Sequence, residues 1–296
     1  MNKTEEYTDK QTGKHKTIPA ASLTSAPPGA RGLSLRGRLR DAAVLVAGRL
    51  YNSNWFLSRS IDTRDRRLRE NLLRQFRAVD RNLGSVHAER EMLIMTDFLL
   101  TTKVPGCIVE CGCFKGGSSA KLSLVAAATG RKLYICDSFQ GLPAIHEGDG
   151  DFSLTATGQA YGFHEGQYAA SMDLVRNNIT QWGNISVCTL VPGFFCDSLP
   201  GLKTEPAFIF ADADLIQSTR DVLRHLWPAL AVGGRFYSHD TNHTEFVEGI
   251  MDNGFWTREI GEPAPVMFGA GYGCGWGAPA IAFCIKNGLA GAPTAL

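Results

Sequence analysis

A chain of 296 residues, 44% hydrophobic and 20% charged, has material for one large domain, or a domain with appendages, around a substantial core. With 30 lysines and arginines against 29 acidic residues the net charge is +1, which argues against a general nucleic-acid or polyanion binder. No apolar run approaches a membrane span, and the N-terminus lacks a signal-peptide core.

Met1 to about Ser34 is polar, carries Pro27-Pro28-Gly29 and scattered lysines, and reads as a disordered tail. Leu35 to Phe56 sets Arg36, Arg38, Arg40 and Arg49 around Ala42-Ala43-Val44-Leu45-Val46-Ala47, the pattern of a basic amphipathic helix. Such a helix packs on the rest of the chain or on a dimer partner; attachment to a membrane surface is the competing reading. Asp62 to Leu83 is arginine-rich with Leu68, Leu72, Leu73 and Phe76 at helical intervals, and His87 to Leu100 reads as a further helix, stopped by Val104-Pro105-Gly106. Residues 35–100 therefore form an N-terminal helical region ahead of a domain over 101–296.

From there strands and helices alternate. Strand Cys107–Cys111 leads to helix Ser118–Ala128 and strand Lys132–Asp137. Beyond a long loop come helix Tyr168–Trp182, strand Ile185–Leu190 and strand Ala207–Asp212. Helix Ser218–Leu230, strand Arg235–His239, helix Glu245–Asn253, a short strand near Trp256–Ile260 and strand Ala280–Ile285 complete the series. This order implies an α/β fold: a Rossmann-like, doubly wound, mostly parallel sheet whose ligand lies beyond the carboxyl ends of the strands. Cys107, Cys111, Cys136, Cys188 and Cys284 sit in apolar, strand-like runs, where cysteine behaves as a small buried hydrophobe. A reduced, cytoplasmic compartment is expected.

The most informative segment is Val109-Glu110-Cys111-Gly112-Cys113-Phe114-Lys115-Gly116-Gly117-Ser118-Ser119. An acidic residue near the end of an apolar strand, a glycine, a glycine pair and a small-residue helix start let the backbone approach a nucleotide-like ligand closely. The spacing departs from the dinucleotide G-x-G-x-x-G and matches the first strand of proteins that bind S-adenosylmethionine (SAM), which places Glu110, Gly112, Gly116 and Ser118 at the cofactor. Asp137 ends the next strand, followed by Ser138, where a carboxylate accepts hydrogen bonds from both ribose hydroxyls. Its alternative is a loop or helix-capping aspartate.

Asp212 and Asp214 follow one strand, and His239 and Asp240 end another. Neighbouring strand ends lie about 5 Å apart, so Asp212, His239 and Asp240 can converge on a divalent cation. The imidazole shifts the preference from magnesium toward manganese, iron or zinc. The competing reading has Asp212 capping the next helix and His239 acting as a general base without metal. His243 is a substrate contact or a helix-start residue. The loop Gly141 to Gln167, with His146 and His164, is expected to cover the pocket, and Phe268 to Gly277 to reach an acceptor pocket or to serve as a plain connection.

With these residues in place the chain resembles the macrocin O-methyltransferase family, SAM-dependent enzymes that methylate sugar hydroxyls of antibiotics and related glycosides. The likeness covers roughly His87 to Asn253. It rests on Val104-Pro105-Gly106, Val109-Glu110-Cys111-Gly112, Gly116-Gly117-Ser118-Ser119, Asp137-Ser138-Phe139-Gln140-Gly141-Leu142-Pro143, Tyr168-Ala169-Ala170-Ser171, Gly193-Phe194-Phe195-Cys196-Asp197-Ser198-Leu199-Pro200 and Asp212-Ala213-Asp214 with Ser218-Thr219. The resemblance implies a class I SAM-dependent methyltransferase fold, with Glu110, Gly112, Asp137, Phe194 and Phe195 around the cofactor. It also implies Asp212 as metal ligand and base, with His239 and Asp240 completing a magnesium-type site. His239-Asp240 replaces the family's usual Asp-Asp pair, and Ile216-Gln217 its usual Tyr-Glu. The expected acceptor is a small molecule, a sugar or glycoside hydroxyl; a second copy of the chain is a further candidate partner. Two readings compete: a non-catalytic SAM-binding regulatory protein, and a nucleotide-dependent sugar-modifying oxidoreductase.

Overall fold

The structure, a computed structural model, describes residues 6–8, 15–17, 35–84 and 86–288. Glu6–Thr8 (β1) pairs antiparallel with His15–Thr17 (β2); the rest of the expected tail over 1–34 lies outside the described residues. The chain divides into two compact units, 1–48 and 49–296. Helix α1 (Leu35–Ser58) runs across that division. Its last turns belong to the second unit, where Phe56 is fully buried and Asn52 Nδ2 donates to Glu89 at 3.2 Å. Helices α2 (Thr63–Leu83) and α3 (Glu89–Thr101) belong to that same unit. Asp62 starts α2 as the sequence predicts, its side chain accepting from the Asp65 amide. No described helix is long and apolar enough to cross a membrane.

The second unit is built on β3 (Cys107–Cys111), α4 (Gly117–Thr129), β4 (Leu133–Asp137), the hairpin β5 (Asp151–Ser153) and β6 (Ala160–Gly162), and α5 (Met172–Trp182). It continues through β7 (Cys188–Pro192), α6 (Phe195–Ser198), β8 (Pro206–Ala211), α7 (Ile216–Leu226), β9 (Arg235–Ser238), α8 (Thr244–Ile250), α9 (Asn253–Phe255), β10 (Met267–Phe268) and β11 (Ala282–Ile285). The main sheet has seven strands in the order β10-β11-β9-β8-β3-β4-β7. The five from β9 to β7 are mutually parallel, whereas β11 runs antiparallel to β9 and β10 antiparallel to β11.

From β3 the chain builds outward to β4 and β7, then returns to lay β8 and β9 on the other side. That reversal opens a crevice at the carboxyl ends of β3 and β8. Side-chain alternation divides the core accordingly. Phe208 and Phe210 pack with α2, α3, α4 and α5 on one face, while Ile209 and Ala211 pack with α7 and α8 on the other.

Several boundaries differ from the sequence reading. The helix expected from Tyr168 begins at Met172, because Tyr168 takes φ +62° and Ser171 caps the helix by accepting from the Leu174 amide. The strand expected at Ile185 begins at Cys188, after a short 3-10 turn closed by the Asn184 side chain. The short strand expected near Trp256–Ile260 is absent: these residues form a π-helical turn. Trp256 and Ile260, four apart, share one hydrophobic cluster, which suits a helical turn, and the Trp256 indole donates to the Ile250 carbonyl at 2.9 Å. The antiparallel edge strand is instead Met267–Phe268.

Candidate functional site

The strand ends are zipped together one residue past the sheet. Gly112 N donates to Cys136 O at 2.9 Å, Asp212 N to Cys111 O at 2.8 Å and His239 N to Ala211 O at 2.8 Å. Gly112 sits at φ +89°, and a β-carbon there would lie 1.8 Å from the Asp212 carbonyl oxygen. Only glycine lets β3 and β8 close this tightly, and this closeness carries the Asp212 side chain to the head of the crevice.

A cavity of about 600 Å³ lies beyond these ends. Gly112, Asp137, Ser138, Phe194 and Phe195, five of the residues expected at the cofactor, line it. Asp137 Oδ2 accepts from Cys113 N and Oδ1 from Phe139 N, each at 2.7 Å. Both bonds aim the carboxylate, and each oxygen keeps a lone pair for a ligand hydroxyl. Glu110, Gly116 and Ser118 do not line the cavity. Glu110 is fully buried behind the loop, accepts from Ser119 Oγ, and burial pushes its carboxyl up to about 8. Gly116 caps α4 in the left-handed region, and Ser118 is buried in the first turn of that helix.

The loop after Gly141 covers the cavity, as expected, and is pinned rather than loose. Asp149 accepts from the Ile216 and Gln217 amides at 2.7 and 2.8 Å, capping α7 from a distant part of the chain. The β5–β6 hairpin is tied to the segment after β9: Thr155 N donates to Asn242 O at 2.7 Å and Ser153 N to Glu245 Oε2 at 2.9 Å. Phe114, Tyr161, Phe163 and Tyr168 give the cavity an aromatic wall. His146 lines it, and so does His243, a buried residue at the N-cap position of α8 whose imidazole burial holds below the ordinary histidine range. His164 does not line it, and neither does any residue from Phe268 to Gly277, so the late glycine-rich segment supplies no part of the pocket.

Opposite Asp137 stands the acidic and imidazole cluster. His239 Nδ1 lies 3.1 Å from Asp212 Oδ1 and 3.2 Å from Asp240 Oδ1, so the three expected metal ligands do converge. Two residues not foreseen from the sequence join them. His87, just ahead of α3, places Nε2 2.9 Å from Asp212 Oδ2, and Glu91, in its first turn, faces His239 Nε2 at 3.7 Å. Burial works against the charges of Asp212 and His239. The two imidazoles nonetheless hold the Asp212 carboxyl well below its ordinary range, and Asp212 and Asp240 hold His239 well above its own. Asp214 behaves in the opposite way: burial and the nearby Asp240 and Asp212 carboxylates push it well above the ordinary range.

The donor set fits a divalent cation. One donor atom each from His87, Asp212 and His239 lie within 4.8 Å of one another, as do one each from Asp212, Asp214 and Asp240. Asp240 Oδ2 is buried with no hydrogen-bond partner, an acceptor still to be satisfied. Backbone geometry marks the same place. Among the described residues, five other than glycine take positive φ: Phe114, Phe139, Tyr168, Asp214 and Asp240. All but Phe139 line the cavity, the distribution expected when strain is concentrated at a working site.

Comparison with known proteins bears on the family and the fold. The family described as macrocin-O-methyltransferase (TylF) matches residues 89–263. The chain is 36% identical over 145 residues to the 8-demethyl-8-(2,3-dimethoxy-alpha-L-rhamnosyl)-tetracenomycin-C 4'-O-methyltransferase of Streptomyces olivaceus, covering 46% of this chain and 53% of that protein. It is 31% identical over 137 residues to the mycinamicin III 3''-O-methyltransferase of Micromonospora griseorubida, covering 44% of this chain and 53% of that protein. The chain thus spans about half the length of the curated relatives it matches. Among solved structures, that of the O-methyltransferase NovP superposes with a TM-score of 0.52 at 20% identity, over 73% of this chain and 81% of that one, and shares the fold. The sheet is that of the class I SAM-dependent methyltransferases, and the chain belongs to the macrocin-O-methyltransferase (TylF) family.

Proposed function

We propose that the protein is a SAM-dependent O-methyltransferase, assisted by a divalent cation, that methylates a hydroxyl of a sugar or glycosylated natural product. The observation that carries this reading is that one cavity joins Asp137, at the end of β4, to the Asp212, Asp214, His239 and Asp240 cluster beyond β8 and β9. Its volume, about 600 Å³, suits a nucleoside-sized cofactor with an acceptor beside it. Family membership supports methyl transfer over sugar oxidation, and the convergence of Asp212, Asp214, His239 and Asp240 on one cavity supports catalysis over a purely regulatory role. The cysteines are free thiols, in keeping with a reduced compartment such as the cytoplasm.

Bound SAM supplies an electrophilic methyl group, and a cation held by Asp212, His239 and Asp240 would acidify the acceptor hydroxyl. The chain's own residues provide alignment and a proton acceptor. Asp137 holds the ribose hydroxyls, and Gly112 permits the close β3–β8 approach that shapes the crevice. Asp212 is a poor base, since both its oxygens face imidazole nitrogens. Asp214 is the better one: among the described residues its carboxyl takes no hydrogen bond and it lines the cavity, and a cation offsetting the Asp212 and Asp240 charges that otherwise raise its proton affinity would leave it ionised to accept a proton. Asp214 would accept the hydroxyl proton as the acceptor oxygen took the methyl group, leaving neutral S-adenosylhomocysteine. The pinned loop keeps water from competing.

Isothermal titration with SAM and with Asp137→Ala tests the cofactor assignment. The substitution should weaken binding by about 1.5–3 kcal/mol, the range for hydrogen bonds to a charged group. Unchanged affinity would remove Asp137 from the site.

A further inference from the structure

We infer that the cation site is built around two imidazoles and one carboxylate, with His87 Nε2, His239 Nδ1 and Asp212 as ligands and Glu91 orienting His239. On this assignment the site takes a first-row transition ion such as Mn2+ or Fe2+ in preference to Mg2+. The inference rests on the cation-assisted reading above and adds to it two residues from the start of α3, outside the strand ends.

Four observations support it. The hydrogen-bond spacings of the cation-free site are short enough for the same atoms to share a cation, since bonds of about 2.1 Å place neighbouring octahedral donors about 3.0 Å apart. His87 Nε2 to Asp212 Oδ2 is 2.9 Å and His239 Nδ1 to Asp212 Oδ1 is 3.1 Å. The two rings stand nearly perpendicular, at 85°, with centroids 4.9 Å apart, so their nitrogens reach the carboxylate from different directions.

The other two observations concern support for the ligands. A metal-bound histidine usually donates its second ring N–H to a carboxylate or carbonyl. His239 Nε2 faces Glu91 Oε2 at 3.7 Å, and Glu91 is 1% exposed. Glu91 is itself fixed, Oε2 accepting from Ala88 N and Oε1 from Ala280 N, both at 3.0 Å. In the cation-free site Nδ1 itself carries a proton toward the Asp212 and Asp240 oxygens, 3.1 and 3.2 Å away, and a bound cation would take that proton's place. Finally, Asp240 Oδ2 is buried without a partner beside this group, a further oxygen available to complete the sphere. Imidazole nitrogen is a preferred donor for manganese-to-zinc ions and a poor one for magnesium.

The test uses the full-length protein, freed of metal by chelator and then loaded with Mn2+, with S-adenosylhomocysteine present. Pulsed EPR should show 14N couplings from two imidazoles, and Mn2+ should bind more tightly than Mg2+ by calorimetry. His87→Gln and Glu91→Gln should each weaken Mn2+ binding, the latter by about 10- to 100-fold as for other outer-shell partners, while S-adenosylhomocysteine affinity stays the same. Mn2+ bound without nitrogen coupling, or Mg2+ bound as tightly and unaffected by His87→Gln, would overturn the inference and leave an all-oxygen cation site. If no cation binds, and methyl transfer persists in excess chelator, the cation-assisted reading fails as well. The EPR measurement on the unaltered protein decides even if a variant misfolds.

Discussion

Asp212 and Asp214 are two residues apart, yet the fold gives them opposite characters. Asp212 is held between His87 and His239 and stays ionised, whereas Asp214 is held at φ +58° among carboxylates with no imidazole bound to it. Two carboxyls whose environments drive them apart divide the labour of a site: one organises charge, the other exchanges a proton. Asp214→Asn should therefore lower kcat by about 10²- to 10⁴-fold, the usual contribution of a general base, with SAM affinity preserved. A kcat within a few-fold of the unaltered enzyme would return the base role to Asp212 or His239. Glu110 offers a separate test of burial. In the folded chain its carboxyl holds a proton up to about pH 8, against 4.5 when free. The folded state binds more protons across that window. Stability from this group is thus complete below about pH 4.5 and lost as pH rises through about 8. Glu110→Gln keeps the shape without the titration, so its melting temperature should fall less between about pH 5 and 9 than that of the unaltered protein. Identical pH profiles would mean that Glu110 ionises as readily folded as unfolded.

At the scale of elements, the strand ends set positions and the covering loop sets access. Asp149 joins the two by capping α7 from within that loop, so the helix that follows the Asp212–Asp214 turn and the cavity wall are stabilised together. Asp149→Ala should cost about 0.5–2 kcal/mol in urea unfolding, the range for a lost cap. It should also raise KM for the acceptor more than it lowers kcat, because the wall loosens while the base stays in place. An unchanged KM would show that the loop is held by the hairpin alone. These elements were legible in the sequence to different degrees. Strands β3, β4, β8 and β9 could be read because they are short apolar runs with an acidic residue in or just past their last positions, and Asp137, Asp212, His239 and Asp240 followed from standing at those ends. His87 and Glu91 could not be found that way: their partners lie more than a hundred residues away, and a histidine beside an amphipathic helix carries no local mark of its role. Glu110 shows the reverse limit. The motif located the loop correctly, but spacing alone does not tell a residue facing the cavity from one bracing it from behind. The turn at Trp256 was misread because an apolar pair around a threonine and two charged residues fits either alternation or a helical turn, and only the packing of the indole decides.

At the scale of the whole molecule, the second compact unit combines a doubly wound sheet with helices α2 and α3. The sheet brings the Asp137 side of the cavity against the acidic side at the point where strand order reverses. The start of α3 closes the acidic half with His87 and Glu91, so on the proposed reading its first turn belongs to the site as well as to the scaffold. The account stands on methyl transfer to a sugar hydroxyl. The measurement that tests it most directly is mass spectrometry of a panel of deoxysugar glycosides incubated with the protein, Mn2+ and SAM carrying a CD3 methyl group. The account predicts one CD3 unit on a sugar hydroxyl of at least one acceptor, with stoichiometric S-adenosylhomocysteine and loss of transfer in Asp214→Asn. Tight SAM binding with no CD3 transfer to any glycoside, or transfer that Asp214→Asn leaves intact, would contradict it.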